Sequence, residues 1–113
     1  MRTIADLSRS EQRGVNDLKQ AIGRRLPERR VRMTVFGSRA RGDAEADSDM
    51  DVLLEVDTDR LAFPDKQRLR EIASEISLAS GIILSLLVVD RQTMRERGDF
   101  SLFDDIRDEG IAV

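Results

Sequence analysis

The chain has no cysteine and no histidine among its 113 residues. The first absence removes disulfides, thiolate metal sites and cysteine nucleophiles together. The second excludes imidazole catalysis and histidine-ligated zinc. Any acid–base or metal chemistry must then come from carboxylates, whose oxygens suit hard cations such as Mg²⁺. Aromatic residues are scarce as well: four phenylalanines, with no tryptophan and no tyrosine. No apolar run is long enough to span a bilayer, and the N-terminus lacks a signal-peptide core. No membrane partner is expected, and the expected compartment is cytoplasmic.

What is present suffices for one core. Apolar residues make up 40% of the chain, and a single domain over 1–113 should bury roughly two thirds of its unfolded surface. Net charge is −3, but residues 1–41 carry 11 Lys/Arg against 4 Asp/Glu, while 42–113 carry 8 against 18. A basic first third can face phosphates or an acidic partner. With no aromatic residue interleaved, "RRLPERRVR" reads as a solvated polar stretch, and direct nucleic-acid binding is not expected.

Periodicity gives the element order. Ser8 followed by Glu11 fits a capping box, and Val15, Leu18 and Ile22 recur at helical spacing, predicting a helix over 9–26 that stops at Pro27. "VRMTVF" (31–36) alternates as a strand and ends at Gly37. "SRARG" is a short turn or helix, and "DAEADS" a polar loop. "MDVLLEV" (50–56) is a second strand, with Val52, Leu54 and Val56 on one face and Asp49, Asp51 and Leu53 on the other. Pro64 opens a helix whose buried face carries Leu69, Ile72, Ile76 and Ala79, ending at Gly81. "IILSLLVV" (82–89) predicts a strand covered on both faces. "RQTMRERG" looks like a short exposed helix, and a last amphipathic segment carries Phe100, Leu102, Phe103 and Ile106. The expected order is α-β-α-β-α-β-α, with no repeat, linker or low-complexity tract.

The stretch "FGSRARGDAEADSDMDVLLEV" (36–56) carries the chemistry. Asp49 and Asp51 stand where a buried strand begins, and carboxylates there are costly unless something positive is bound. Gly37 and Gly42 have P-loop spacing, but Asp43-Ala44 stands where Lys-Ser/Thr is required. "DSDMD" imitates an EF-hand start, yet the sixth position is Val52 and the twelfth Thr58. No Rossmann fingerprint occurs. What survives is a metal-dependent phosphoryl-transfer site. Residues i and i+2 of a strand point to one side, about 6–7 Å apart, so Asp49 and Asp51 can converge on one or two Mg²⁺ ions. Gly37 lets backbone amides approach a phosphate, Ser38 adds a hydroxyl, and Arg39 and Arg41 can neutralise charge nearby.

The pattern Gly37-Ser38, ten residues, then Asp49-x-Asp51 resembles the signature of the minimal nucleotidyltransferase branch of the DNA polymerase β-like nucleotidyltransferases. The element order and "SLFDDIRDEGI" extend the resemblance over most of the chain. It implies an α/β (α+β) fold with a small mixed three-stranded sheet flanked by helices. It also implies that Gly37 and Ser38 hold the triphosphate of ATP while Asp49 and Asp51 bind Mg²⁺. Many such proteins are antitoxins of a helical HEPN partner, and some silence it by transferring AMP to it. The family often has a third carboxylate on the next strand; here the central polar position of "GIILSLLVVD" is Ser85, and the acid is Asp90 at the strand's end. The expected function is Mg²⁺-dependent AMP transfer to a protein acceptor. The alternative is a binding module that neutralises a partner by contact, docking through Phe100, Phe103, Ile106 and Ile111.

Overall fold

The computed structural model describes residues 2–99 and 101–113. After a short 3₁₀ turn at Ile4–Asp6 come α1 (Arg9–Arg25), β1 (Val31–Phe36), α2 (Ser38–Arg41) and β2 (Met50–Val56). These are followed by α3 (Phe63–Ser80), β3 (Leu84–Val89), α4 (Arg91–Arg97), α5 (Ser101–Glu109) and β4 (Ile111–Ala112). No helix among the described residues is long and apolar enough to cross a membrane.

The capping box forms as its spacing demands: Glu11 N–H donates to Ser8 Oγ at 3.1 Å, and Ser8 N–H donates to Glu11 Oε1 at 2.7 Å. Two orphan donors at the start of α1 are thereby satisfied. α3 has Pro64 in its first turn and ends on Gly81, whose φ of 78° is left-handed. Its buried face is Leu69, Ile72 and Ala73. Ala79, expected on that face, is exposed, and the half-buried Ser80 continues the stripe from Ile76 instead.

The sheet order is β3-β2-β1-β4. β1 and β2 are antiparallel, β2 and β3 are parallel across the α3 crossover, and β4 runs antiparallel to β1. The sheet thus has four strands rather than three. β4 escapes a periodicity reading because it is two residues long, but it buries Ile111 to 1% exposure against β1. Gly110 makes the turn into it possible, since a Cβ there would collide with Ile106 O and Thr34 Cγ2. β3 begins at Leu84 rather than residue 82, and as an edge strand it is less covered than expected, with Ser85 exposed and Leu86 and Leu87 half-buried.

Strand alternation sorts the core into two layers. Met33, Val35, Met50, Val52, Leu54, Leu84 and Val88 pack against α1 and α3 on one face. On the other, Leu53 and Val89 pack with Phe103 and Ile106 of α5, and with half-buried Phe36, Leu87 and Met94. The C-terminal apolar residues Phe103, Ile106 and Ile111 are therefore core, at 5%, 4% and 1% exposure, and not a docking surface. Phe100 lies outside the described residues. Two polar ends of the second face remain, and the acidic pair occupies one of them.

Candidate active site

The site is assembled by register. Phe36 of β1 pairs with Asp51 of β2, and Asp51 pairs with Ser85 of β3. In-register neighbours point to the same side of a sheet, so these three side chains form a row across the α5 face. Asp49 shares that face one pleat earlier. Asp49 and Ser85 are exposed and Asp51 is half-buried. The expectation that Ser85 stands beside the acidic pair agrees with this register.

Gly37 connects β1 to α2 with φ 75° and ψ −157°, a region that only glycine occupies without strain. The space is as restrictive as the torsion: a Cβ at Gly37 would sit 2.5 Å from Asp51 Oδ2. The backbone turn and the carboxylate are thus in direct apposition. The turn's own bonds start with Arg41 N–H to Gly37 O at 3.0 Å and Gly42 N–H to Ser38 O at 2.9 Å. The amides of Ser38 and Arg39 precede them and have no acceptor within the turn.

Burial pushes the Asp51 carboxyl above its ordinary range, and the negative charge of Asp49 pushes it further, against the pull of Arg41. A carboxylate held ionised against burial and a like charge favours a nearby cation. Arg41 supplies part of that charge while bonding Asp43 at 3.3 Å and Glu109 at 3.4 Å, the latter tying α2 to the end of α5.

Arg39 lies elsewhere. Its Nε and Nη2 donate to Ser48 O at 2.9 and 2.7 Å, Nη2 also reaches Ala46 O at 3.3 Å, and Nη1 meets Glu11 Oε2 at 3.1 Å. Burial alone would raise the pKa of Glu11, but hydrogen bonds from Ser8 and Arg39 outweigh it and hold the group below its ordinary range. Arg39 therefore clamps the 43–49 loop onto α1, with its donors already engaged. Sequence spacing could not show this, because the Glu11–Arg39 pair is 28 residues apart. Gly37's apposition to Asp51 is equally invisible to a spacing reading.

No cluster of three or more acidic side chains able to share one metal exists among the described residues. Asp90 does not complete the site. It caps α4, accepting from Thr93 N–H and Leu61 N–H, both at 2.8 Å, and from Thr93 Oγ1 at 2.9 Å, with Lys66 at 3.7 Å. Burial would raise its pKa, but these donors together hold it down to about 2.

A two-carboxylate edge facing a glycine-dependent amide turn suits phosphoryl chemistry. Residues 15–111 match the family described as "Nucleotidyltransferase domain". The chain is 31% identical over 99 residues to a Methanocaldococcus jannaschii protein named "Putative protein adenylyltransferase MJ0141", covering 88% of this chain and 94% of that one. No solved structure gives a significant match. The sheet, the acidic pair and the match over most of the chain converge: this protein belongs to the nucleotidyltransferase domain family.

Proposed function

We propose that the protein transfers AMP from ATP to a protein acceptor, with Mg²⁺ held by Asp49 and Asp51. The observation that carries this is the apposition of Gly37 to Asp51, which sets a phosphate-accessible backbone turn against a carboxylate that favours a cation. The donor set fits Mg²⁺: hard oxygens only, two carboxylates, and an exposed side where waters and substrate phosphates can supply the remaining ligands. When bound, the ion would neutralise charge developing on the transferring phosphoryl group. Ser38 Oγ and the Ser38 and Arg39 amides orient the triphosphate, and Arg41 adds positive charge beside it. Ser85 Oγ can hold an acceptor hydroxyl or a water but carries no charge with which to remove a proton. In the reaction a bond forms from the acceptor oxygen to the α-phosphorus, the bond to the departing pyrophosphate breaks, and the acceptor's hydroxyl proton passes to water.

That the acceptor is a protein draws on the relative's printed name. A HEPN-type toxin as acceptor, with this chain as its antitoxin, extends the same reading. ATP labelled on the α-phosphate should mark the neighbouring gene's product when the two are mixed. Asp49→Asn with Asp51→Asn should abolish the label. Label surviving that double substitution ends the assignment.

The second reading, neutralisation by contact without catalysis, is favoured by one observation: the missing third carboxylate. If the double variant still rescues growth in full beside the partner gene, contact suffices.

A further inference from the structure

Ile83 borders the acidic pair. Its sequence neighbours Ile82 and Leu84 pack into the α1–α3 layer, so backbone alternation turns Ile83 to the opposite, α5 face. Met50 pairs with Leu84, and Met50 N–H donates to Ile83 O at 2.8 Å. The parallel register thus runs one residue further and sets Ile83 beside Asp49, their Cα atoms about 4.8 Å apart as on any neighbouring strands. Ile83 is 60% exposed and belongs to neither apolar cluster among the described residues. A single exposed apolar residue is ordinary on a protein surface. Position gives this one a role.

The sheet order places β2 and its acidic pair between two flanks. The Gly37–Ser38 turn stands on the β1 flank, and Ile83 and Ser85 stand on the β3 flank. In phosphoryl transfer the entering and leaving oxygens lie roughly on one line through the phosphorus, with the other substituents spread around it. With the departing pyrophosphate at the Gly37–Ser38 turn, the acceptor oxygen enters over β3. The nucleoside hangs from an equatorial oxygen and lies off that line.

We propose that Ile83 is a specificity-determining residue for the acceptor, packing against apolar carbon next to the attacking hydroxyl. The inference rests on the phosphoryl-transfer reading. Ser85 leaves room for the hydroxyl and offers it a hydrogen bond, while Ile83 supplies an apolar wall. Neither is a base: as the bond from acceptor oxygen to α-phosphorus forms and the bond to pyrophosphate breaks, the hydroxyl proton passes to water. Discrimination between acceptors then comes from how each is held, and covering Ile83 contributes in proportion to the apolar area removed from water. A hydroxyl carried on hydrocarbon gains from that wall, and one surrounded by polar groups does not.

Simple alcohols probe this subsite without a protein acceptor. With ATP labelled on the α-phosphate and Mg²⁺ present, ethanol and 1-butanol should each yield labelled alkyl-AMP. Wild type should favour 1-butanol by roughly five- to tenfold in second-order rate constant, as expected for two partly covered methylenes. Ile83→Ser should erase that preference with the KM for ATP and the urea midpoint unchanged, and Ile83→Leu should restore it. Phe63→Ser, at a similarly exposed apolar residue at the far end of α3, should keep the wild-type preference. A preference that survives Ile83→Ser overturns the proposal. So does a raised KM for ATP in that variant, which would place Ile83 against the nucleoside. Labelled product with no dependence on chain length removes this inference alone, whereas no labelled product from alcohols or protein removes the transfer reading beneath it.

Discussion

Asp51 Oδ2 occupies the space that a Gly37 side chain would need, 2.5 Å from where its Cβ would stand. One residue thereby sets the position of both the Gly-Ser turn and the carboxylate beneath it. Gly37→Ala should cost about 1–3 kcal/mol from the torsion alone and push the Asp51 carboxylate aside. Urea denaturation should show that loss, and nucleotidyl transfer should fall at least tenfold in protein that remains folded. An alanine variant with wild-type activity would show that the close apposition is unnecessary.

Ser85 is the register partner of Asp51 and is exposed, so a carboxylate introduced there remains hydrated. Ser85→Asp should fold normally and preserve or raise the initial rate of AMP transfer at saturating ATP and Mg²⁺. Asp51→Ser should abolish transfer. A well-folded Ser85→Asp protein with much lower activity would mean that position 85 does not face the reacting groups.

Arg39 should behave as a clamp and not as a phosphate ligand. Its side chain and that of Glu11 are each 11% exposed. Removing one partner of such a pair leaves a nearly buried charge alone, a loss of about 3 kcal/mol. Arg39→Ala should therefore lower the unfolding midpoint substantially, and Glu11→Ala should add less than its separate cost, the signature of coupling. An Arg39→Ala protein of unchanged stability but greatly raised KM for ATP would return Arg39 to the nucleotide.

Asp90 makes stability pH-dependent in a defined window. Its folded pKa of about 2 lies below the unfolded value of about 3.9. The folded state thus binds the proton less readily, and the contribution is complete above about pH 4. It is lost as pH falls from about 4 through 2, on the order of 2 kcal/mol in all. Urea midpoints of wild type and Asp90→Asn should differ at pH 6 and converge towards pH 2. A gap unchanged across that range would show that hydrogen-bond geometry, and not charge, carries the effect.

The parts of the fold with strong period were legible. Ser8 and Glu11, Pro64 and Gly81 marked helix ends because capping chemistry is local, and 31–36 and 50–56 emerged with their observed bounds. The placement of Ser85 beside Asp51 was legible too, since Leu84 and Leu86 required the opposite face. What escaped depended on contacts distant in sequence. The edge position of β3 cannot be read from an apolar run, because burial between layers and exposure at an edge give the same composition. β4 is too short to alternate. Arg39 was expected at the nucleotide by nearness to the Gly-Ser turn, whereas its hydrogen bonds to Glu11 on α1 and to Ala46 and Ser48 could not be read from spacing.

The Arg39 clamp also gives the motif's spacing a mechanical meaning. Ten residues separate Ser38 from Asp49, and the guanidinium grips the second half of that span at the Ala46 and Ser48 carbonyls. The acidic pair is thus hung from the turn by a side chain and not merely tethered by the backbone between them. What a pattern search counts as a fixed gap is here the reach of one arginine, and slack added between Asp43 and Glu45 lies outside its grip.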